Sequence, residues 1–393
     1  MYDTIIVGGG IAGLTAAEHC AKKNIQVLLL ERYKHVGGRI VTNHDPYQYE
    51  IGAGRILRTH TLVKKLVDRF GLKTYPISAN TNEFHALFDP IIHILQTIPA
   101  ADLAMHTLAE IIPEELHPIL RMYPYYAEMH ILRADLALPL FTKGNAMSNE
   151  AEFYGIQGGL DQLTNAIQQA LTNTTASIQT RHRVEDIRKR QDGVFEITGS
   201  SGKKAEAKPF LFTCKRLIVA TEYRTFRNFT IFKHAQFLKH LTDSPLIRIY
   251  AVYPTKENQP AWFHDVPKTV TDSPLRHVIP IDAKKGLIMI SYTDGEDTHI
   301  WQNKDDDELK AAIQSEARNL FPDRQIPEPI YITKHVWPQG CTYWKKGNYD
   351  MNQILLEAQN PLPNVYICGE SVNKHQSWVE SALESVELVK EKI

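Results

Sequence analysis

The chain has 393 residues, with 44 lysines and arginines against 45 aspartates and glutamates, so its formal net charge is −1 at pH 7. This balance gives no electrostatic reason to expect binding to nucleic acid or to an anionic membrane. The four cysteines are widely scattered, and no window of the sequence approaches a membrane-spanning segment. We therefore expect a globular cytoplasmic protein with reduced thiols, whose early first strand leaves no room for a signal peptide.

The first predicted unit is a strand, a glycine turn and a helix. Ile5 to Val7 form a short apolar strand, and Gly8, Gly10 and Gly13 follow in the spacing Gly-x-Gly-x-x-Gly. The first glycine makes the tight turn, the second lets the backbone approach a phosphate, and the third lets the helix lie close to the strand. The amides at the helix start would then bind the pyrophosphate of a dinucleotide.

A second apolar strand, 27–30, ends in Glu31, which lies 18 positions beyond Gly13. An acid near this spacing hydrogen-bonds ribose hydroxyls and disfavours a 2′-phosphorylated ligand. Together with Gly37-Gly38-Arg39 and Thr42, Glu31 resembles the N-terminal signature of the flavin-containing amine oxidase superfamily, in which the ligand is FAD. The resemblance implies that Glu31 holds the adenosine ribose and that Arg39 supports the pyrophosphate, for which a planar guanidinium is suited.

The next motif, Gly52-Ala53-Gly54-Arg55, precedes an apolar helical segment that ends at Gly71. It is similar to a motif of L-amino-acid oxidases and bacterial tryptophan monooxygenases, where the arginine binds the substrate carboxylate. Arg55 would then form a bidentate, charge-assisted pair with an α-amino acid. The alternative is that Arg55 contacts the flavin or a backbone carbonyl.

Segments in the middle of the chain resemble further parts of the same family. Gly158-Gly159 before an amphipathic helix resembles its central glycine turn, and the segment 216–221 resembles the strand that leaves its FAD domain. The segment 183–187 resembles a strand whose valine, here Val184, meets the adenine through its backbone. Residues 78–145 match only in being mostly helical.

Arg248 lies in the apolar segment 246–253, which resembles the strand on which typical oxidases of this family present a lysine toward flavin N5 through a water. Arginine keeps the positive charge of lysine, but it cannot be deprotonated and its fork of donors is larger. We therefore expect the reaction of the flavin with oxygen to differ from that of typical members.

Two aromatic side chains commonly form a slot at the flavin of amine oxidases and orient the substrate nitrogen. Gly347-Asn348-Tyr349 resembles the turn that carries one of them, and Trp378, eight positions after Glu370, falls where the family places the other. Such a slot would desolvate the amine and favour its neutral form. Monoamine oxidases carry the cysteine that bonds to the flavin just before this tyrosine, and Asn348 predicts that FAD is held here without a covalent bond.

The last predicted unit is again a strand, a turn and a helix. The apolar segment 365–368 is followed by Gly369-Glu370, and apolar residues from Trp378 to Val386 share one helical face. This resembles the family's closing motif, in which Gly-Glu contacts the ribityl and phosphate region. The helix N-terminus would then direct its positive dipole end toward the flavin.

These segments predict an α/β fold: a Rossmann-like FAD-binding domain with a discontinuous α+β substrate domain, the amine oxidase fold. The expected FAD domain comprises residues 1–76, 146–225 and 333–393, and the expected substrate domain comprises 77–145 and 226–332. Strands are expected at 246–253 and 286–292, and helices at 101–112 and 114–126, broken by Pro113 and Pro124. The acidic run 305–308 is expected at a helix start, and none of the 17 histidines forms the pair typical of a metal site.

The sequence therefore predicts an FAD-dependent oxidoreductase that transfers hydride from a small amine or amino acid to the flavin, with molecular oxygen as acceptor and hydrogen peroxide as product. The expected catalytic residues are Arg248, Tyr349, Trp378 and Arg55. The expected cofactor-binding residues are Gly8, Gly10, Ala12, Gly13, Glu31, Gly38, Arg39, Gly54, Arg55, Val184, Gly369, Glu370 and Val379. The alternatives are a polyamine or monoamine oxidase, a carbon–carbon desaturase, and, in another class, a flavin-dependent sugar mutase or a catalytically silent flavoprotein.

Overall fold

A computed structural model describes the chain except residues 78–84, 123–125, 142–151, 204–205 and 256–258. The strands are β1 (Tyr2–Val7), β2 (Val27–Leu30), β3 (Thr42–Asn43), β4 (Tyr49–Glu50), β5 (Ile56–Leu57), β6 (Thr74–Ile77), β7 (Phe153–Ile156), β8 (Ala176–Gln179), β9 (His182–Lys189), β10 (Phe195–Ser201), β11 (Lys208–Val219), β12 (Leu241–Val252), β13 (Thr269–Val270), β14 (His277–Asp282), β15 (Leu287–Asp294), β16 (Tyr331–Trp344) and β17 (Val365–Ile367).

The α-helices are α1 (Ile11–Lys22), α2 (Thr61–Arg69), α3 (His85–Thr97), α4 (Ala100–Ala104), α5 (Leu108–Ile111), α6 (His117–Arg121), α7 (Tyr126–Ile131), α8 (Ala134–Ala137), α9 (Asp161–Ala170), α10 (Tyr223–Phe226), α11 (Asp306–Leu320), α12 (Met351–Gln359) and α13 (Val379–Val389). Short 3₁₀ helices cover Glu114–Leu116, Leu138–Phe141, Thr230–Phe232, Gln236–His240, Gly295–Ile300 and Glu370–Val372. No helix in the described ranges is long and apolar enough to cross a membrane.

The chain divides into two compact units, which we call the first and the second unit. The first comprises Met1–Ile77, Phe153–Thr242 and Tyr349–Ile393, and the second comprises Ser78–Glu152 and Asp243–Asn348. The expected boundary at 225 falls instead at 242, because the Asp186 carboxylate on β9 accepts hydrogen bonds from the backbone and hydroxyl of Thr230. The expected boundary at 332 falls at 348, because β16 pairs within the sheet of the second unit.

The main sheet of the first unit has the order β8-β2-β1-β11-β10-β9, and β17 also pairs with β11. β8, β2, β1, β11 and β17 are parallel, and Ile5 on β1 lies opposite both Leu28 and Leu217. All four residues of β2 are buried, because helices cover the faces of a parallel sheet. The unit β1-α1-β2 with its glycine turn is therefore the predicted Rossmann-like unit.

Apolar residues of α1, α9 and α13 share one core cluster in the first unit. Leu14 and Ala17 on α1, Ile167 on α9 and Val389 on α13 are all fully buried in it. The Cys20 side chain joins them, and it behaves here as a small apolar residue. This packing confirms the amphipathic helices expected after the central and the closing glycine turns.

The second unit contains an antiparallel sheet with the order β13-β14-β15-β12-β16. β12 and β15 confirm the strands expected at 246–253 and 286–292. One face of this sheet packs on α11 through a second apolar core. Asp305 and Glu308 form a capping box at the start of α11, which confirms the helix start expected at the acidic run.

The helix expected at 101–112 is wrong in one respect, because the structure divides it into α4 and α5. Thr107 and Glu110 form a capping box that begins α5, and such a pair favours a new helix start. The next expected helix begins as the 3₁₀ turn Glu114–Leu116 and continues as α6. The break expected at Pro124 lies outside the described residues.

Candidate active site

The glycine turn after β1 has the geometry that its three glycines predict. A Cβ on Gly8, whose φ is +108°, would meet the Ala220 carbonyl oxygen at 2.5 Å, and one on Gly13 would meet the Gly8 carbonyl oxygen at 2.0 Å. A Cβ on Gly10 would meet nothing closer than the Gly38 Cα at 3.9 Å. Gly8 and Gly13 are therefore required by the fold, whereas Gly10 borders open space.

Gly10 is also the N-cap residue of α1, and no side chain caps this helix. The first turn carries no acid either, so its backbone amides and positive dipole end remain available to an anion. Ala12 lies in this turn and is buried. The helix start therefore fits a phosphate group, as the sequence predicts.

Glu31 is buried at the end of β2, and its carboxylate is held by two backbone amides. Oε2 accepts a hydrogen bond from the Gly9 amide and Oε1 from the Tyr33 amide, both at 2.8 Å. Burial raises the pKa of Glu31, although both amides act in the opposite direction. Each oxygen keeps further acceptor capacity, which suits ribose hydroxyls.

Val184 lies near this acid. It is buried on β9, and the His182 amide at the start of that strand donates a hydrogen bond to the Glu31 carbonyl oxygen at 2.8 Å. The register of β9 against β10 shifts beside Val184, between Thr198 and Gly199. The structure therefore brings Val184 within two residues of the backbone around Glu31, as an adenine contact would require.

The N-terminal and C-terminal motifs meet in the first unit. β1 and β17 both run parallel to β11, so Gly8 and Gly369 follow strands that end at the same edge of the sheet. Arg39 Nη2 lies 2.9 Å from Glu370 Oε1. The parallel strands therefore bring residues that lie more than 300 positions apart in the sequence to one edge of the sheet. Dinucleotides bind at this carboxyl edge in such sheets.

Gly369 and Glu370 have different surroundings at this edge. Gly369 has a φ of +131°, and a Cβ there would meet nothing within 4 Å. The buried Glu370 carboxylate accepts hydrogen bonds from the Ser377 amide at 3.1 Å and the Ser371 hydroxyl at 3.1 Å, in addition to its ion pair with Arg39. Gly369 therefore borders open space, and Glu370 ties Arg39 to the loop that precedes α13.

Arg55 and Trp378 also come together. The Arg55 guanidinium carbon lies 4.6 Å from the Phe153 ring centroid and 5.9 Å from the Trp378 ring centroid. Trp378 is the half-buried N-cap residue of α13, and the His60 ring packs edge-on against it, with 5.0 Å between centroids and an interplanar angle of 73°. We call Arg55, His60, Phe153 and Trp378 the Arg55 cluster. Gly54 and Val379 are the chain neighbours of two of its members.

Glu380 fixes the two helices that border this cluster, and the sequence reasoning missed it. Its carboxylate on α13 accepts hydrogen bonds from the Leu62 amide at 2.8 Å and the Val63 amide at 2.9 Å, in the first turn of α2. The His60 N-cap gives α2 no side-chain cap. The available signal was a helix start that has no Ser, Thr, Asp or Asn at its cap, together with a buried acid on another helix.

His60 was missed as well. Its side chain is buried, and Nδ1 accepts a hydrogen bond from the Leu57 amide at 3.3 Å. Burial lowers the pKa of His60 to about 4, against a smaller opposing effect of Glu384. The imidazole is therefore neutral at physiological pH and presents a fixed edge to Trp378.

Tyr349 begins the last segment of the first unit. The centroid of its half-buried ring lies 4.1 Å from the His240 ring centroid, and the interplanar angle is 36°. Asp350 follows and caps α12 by accepting a hydrogen bond from the Gln353 amide at 2.8 Å. The ring contacts of Tyr349 and Trp378 thus differ, and the aromatic pair stays a prediction.

Arg248 belongs to the second unit. It lies on β12 opposite Tyr292, and its guanidinium carbon is 5.2 Å from the Tyr292 ring centroid. Burial would lower the pKa of Arg248, but Tyr250 and Tyr292 outweigh this effect and raise it. Arg248 therefore carries a fixed positive charge.

Comparisons with known proteins agree with this geometry. The sequence profile of the family described as flavin containing amine oxidoreductase matches residues 123–387, and that of the NAD(P)-binding Rossmann-like domain matches residues 6–70. An L-amino-acid oxidase of Pseudechis australis is 22% identical over 447 residues, which cover 97% of this chain and 84% of that protein. The flavin-containing amine oxidase A of Bos taurus is 34% identical over 87 residues, which cover 22% of this chain and 16% of that protein.

The fold has a close counterpart among solved structures. Wild-type putrescine oxidase bound to putrescine matches with a TM-score of 0.75 and 17% sequence identity, covering 100% of this chain and 98% of that one. At this identity the match is evidence for the fold, and the function rests on the family and on the site.

Proposed function

Because this chain belongs to the family of flavin-containing amine oxidoreductases, we propose that it binds FAD in the first unit and oxidises a carbon–nitrogen bond of an amino acid or amine. The observation that carries the proposal is the carboxyl edge of the parallel sheet. There the open glycine turn, Glu31 and the Arg39–Glu370 ion pair lie at the ends of strands that run side by side.

The residues at this edge fit FAD held without a covalent bond. The amides at the α1 start would bind the pyrophosphate with help from Gly38 and Arg39, Glu31 would accept hydrogen bonds from the ribose, and the Val184 backbone would meet the adenine. The open space beside Gly369 would take the ribityl and phosphate region. Asn348 precedes Tyr349, and an asparagine side chain forms no bond with a flavin. When bound, FAD supplies the acceptor for a hydride.

Arg55 would bind the substrate carboxylate. Its guanidinium carbon lies 4.6 Å from the Phe153 ring centroid and 5.9 Å from the Trp378 ring centroid, and a planar fork that packs against aromatic rings suits bidentate recognition of a carboxylate. This role favours an α-amino acid over a simple amine. The competing role is a contact with the flavin or with a backbone carbonyl.

Trp378 and Tyr349 would line the slot for the substrate nitrogen. An apolar slot disfavours the ammonium form and so lowers the pKa of the amine, and the neutral amine is the form that releases a hydride from the adjacent carbon. Trp378 is half-buried and is held by His60 and Arg55, as a wall of fixed orientation requires. Gly54 and Val379, next to the Arg55 cluster, would contact the flavin.

Arg248 would replace the lysine that typical members use, with molecular oxygen as the electron acceptor and hydrogen peroxide as product. Its fixed charge favours negative charge nearby at any physiological pH. We also propose that the protein works in the cytoplasm, because its four cysteines are all free.

The test is anaerobic reduction of the purified, FAD-loaded protein. We expect amino acids or amines to bleach the flavin absorbance, and air to restore it with release of peroxide. If no amino acid, polyamine or aromatic amine bleaches the flavin, the proposal fails, and the desaturase, mutase or silent flavoprotein alternatives take its place.

A further inference from the structure

The His60 ring is held in one orientation by the turn between β5 and α2. Its Nδ1 atom accepts a hydrogen bond from the Leu57 amide at 3.3 Å, and the His60 amide donates one to the Leu57 carbonyl oxygen at 2.9 Å. The last side-chain torsion of a histidine is otherwise broad, and the hydrogen bond to the ring restricts it. Leu57 lies opposite Phe153 where β5 pairs with β7. The ring is therefore anchored to a sheet of the first unit.

The same hydrogen bond assigns the tautomer of His60. A ring nitrogen that accepts a hydrogen bond carries no proton, so the proton of the neutral ring lies on Nε2. Burial keeps the ring neutral, because it lowers the pKa of His60 to about 4. Nδ1 is occupied by the Leu57 amide and Nε2 already holds a proton. His60 is therefore poorly suited to act as a general base, and its arrangement suits a role in positioning.

The backbone before Trp378 is fixed by other residues. Ser377 has a φ of +74°, in the left-handed region that residues with a side chain rarely adopt. Its amide donates a hydrogen bond to Glu370 Oε2 at 3.1 Å. Such a conformation persists only where the surrounding structure holds it. These contacts set where the Trp378 backbone lies, but they leave the two side-chain torsions of the indole open.

Ring contacts restrict the indole itself. Within the described part of the chain, Trp378 meets the His60 ring edge-on, with 5.0 Å between centroids and an interplanar angle of 73°, and the Arg55 guanidinium carbon at 5.9 Å. An edge-to-face pair of rings at such a separation is favourable and depends on direction. A cation at 5.9 Å lies near the outer limit of contact with a ring. His60 is therefore the stronger constraint on the indole.

We propose that His60 is the positioning residue for Trp378, and that its ring holds the indole in the orientation that the slot for the substrate nitrogen requires. This inference rests on the proposed function, because Trp378 affects the reaction only if it lines that slot. Loss of the His60 ring misorients the amine and slows hydride transfer. Binding of a substrate carboxylate at Arg55 stays nearly unchanged, so the rate and the affinity respond differently.

The first test observes Trp378 without any reaction. The chain has five tryptophans, so incorporation of fluorotryptophan gives one fluorine NMR signal for each, and Trp378→Phe identifies the signal of Trp378. We expect His60→Asn to shift or broaden this signal and to leave the others in place. Asparagine can still accept a hydrogen bond from the Leu57 amide, but it has no ring. An unchanged Trp378 signal would overturn the proposal.

His234→Asn is the matched control, because the His234 side chain is exposed in the same unit. His60→Phe keeps a ring beside Trp378 and should move the signal less than His60→Asn does. If His60→Asn fails to fold, His60→Gln replaces it, since its amide oxygen can also accept a hydrogen bond. A larger change with His60→Phe than with the amide variants would contradict a role of the ring.

The second test asks whether His60 acts on the reaction through Trp378. Stopped-flow mixing of the FAD-loaded protein with L-norleucine or 1-aminopentane, without oxygen, gives the limiting rate constant for flavin reduction and the apparent Kd. We expect His60→Asn to lower this rate constant about three- to tenfold. The Kd for L-norleucine should stay within about twofold.

The same substitution in a Trp378→Leu background completes a double-mutant cycle. There we expect His60→Asn to lower the rate constant less than about twofold, because the residue through which His60 acts is already lost. Equal losses in both backgrounds would overturn the proposal, since His60 would then act independently of Trp378.

The two tests separate this inference from the proposed function. If the Trp378 signal responds to His60→Asn but neither probe nor any other amine bleaches the wild-type flavin, His60 still positions Trp378 and the proposed reaction fails. If the flavin is bleached and the Trp378 signal does not respond to His60→Asn, the reaction stands and the positioning role fails.

Discussion

The two units of this protein differ in how their key residues are specified. In the first unit the carboxyl edge of the parallel sheet depends on backbone geometry, and only glycine fits position 8, where a Cβ would lie 2.5 Å from a carbonyl oxygen. In the second unit the surroundings of Arg248 depend on the register of β12 against β15, and many residue types fit such a register. Backbone requirements leave a motif in the sequence, whereas side-chain recognition does not.

The largest effect is expected at Gly10, where a substitution tests the backbone requirement of the first unit through its effect on FAD affinity. A valine there has room within the chain, since the nearest heavy atom to its Cβ is at 3.9 Å, and the backbone is extended. The side chain would fill the open space in which we propose that the phosphate binds. We expect Gly10→Val to weaken FAD binding roughly a hundredfold, about 2.7 kcal/mol, with an unchanged circular dichroism spectrum.

Gly10→Ala provides the graded control, with a smaller loss of FAD. The measurement is the FAD absorbance that remains after dialysis at known free FAD. Full retention of FAD by the valine variant would contradict the phosphate position.

Arg55 comes next, because it tests side-chain recognition inside the first unit. We expect Arg55→Met to raise the KM for L-norleucine roughly ten- to hundredfold, since a charge-assisted bidentate pair is lost. The KM for 1-aminopentane, which has no carboxylate, should stay within about twofold. Exposed Arg58, three positions further on, gives the matched control Arg58→Met. Equal losses for both substrates would favour the flavin contact instead.

A substitution at Glu380 tests whether the Arg55 cluster depends on the hydrogen bonds that join α13 to α2. Glu380→Gln removes the charge that two α2 amides bind, and we expect a loss of about 1–3 kcal/mol in the free energy of unfolding. Glu387→Gln on the same helix is the control, because that side chain is exposed and pairs with Lys390 at the surface. Urea unfolding of both variants, followed by Trp fluorescence, gives the comparison. Similar unfolding midpoints would show that the hydrogen bonds between Glu380 and the α2 amides contribute little to stability.

A smaller effect is expected from the titration of His60. The folded state keeps its pKa at about 4, below the ordinary value of 6.5, so it favours the neutral ring. The resulting stability is complete above pH 6.5 and is lost as the pH falls toward 4. His60→Asn does not titrate, so the wild type should lose about 1–3 kcal/mol relative to this variant between pH 6.5 and 4.5. Parallel pH profiles of unfolding would contradict a buried neutral His60.

The smallest effect is expected at Arg248 in the second unit. Arg248→Met removes a fixed charge, and we expect the rate of flavin reoxidation by air to change about two- to tenfold. Arg248→Lys keeps the charge and should lie nearer the wild type. Stopped-flow mixing of the reduced protein with oxygen gives both rates, and identical rates for all three proteins would refute the role.

The sequence predicted the glycine turn after β1 and the acid at the end of β2, because Gly8, Gly13 and Glu31 each meet a local backbone requirement that their spacing reveals. That these residues bind FAD stays a prediction. It missed His60 and Glu380, because their partners Trp378 and the α2 amides are brought near only by the packing of helices distant in sequence.

The central claim is that the bound flavin takes a hydride from the carbon next to a primary amine. The most direct measurement is the stoichiometry of products when the FAD-loaded protein turns over, in air, an amino acid or primary amine that bleaches its flavin. We expect ammonia and hydrogen peroxide in equal amounts, because each imine formed is hydrolysed and each reduced flavin is reoxidised by oxygen. Peroxide without ammonia would indicate carbon–carbon desaturation, and the absence of both with every amine would contradict the account.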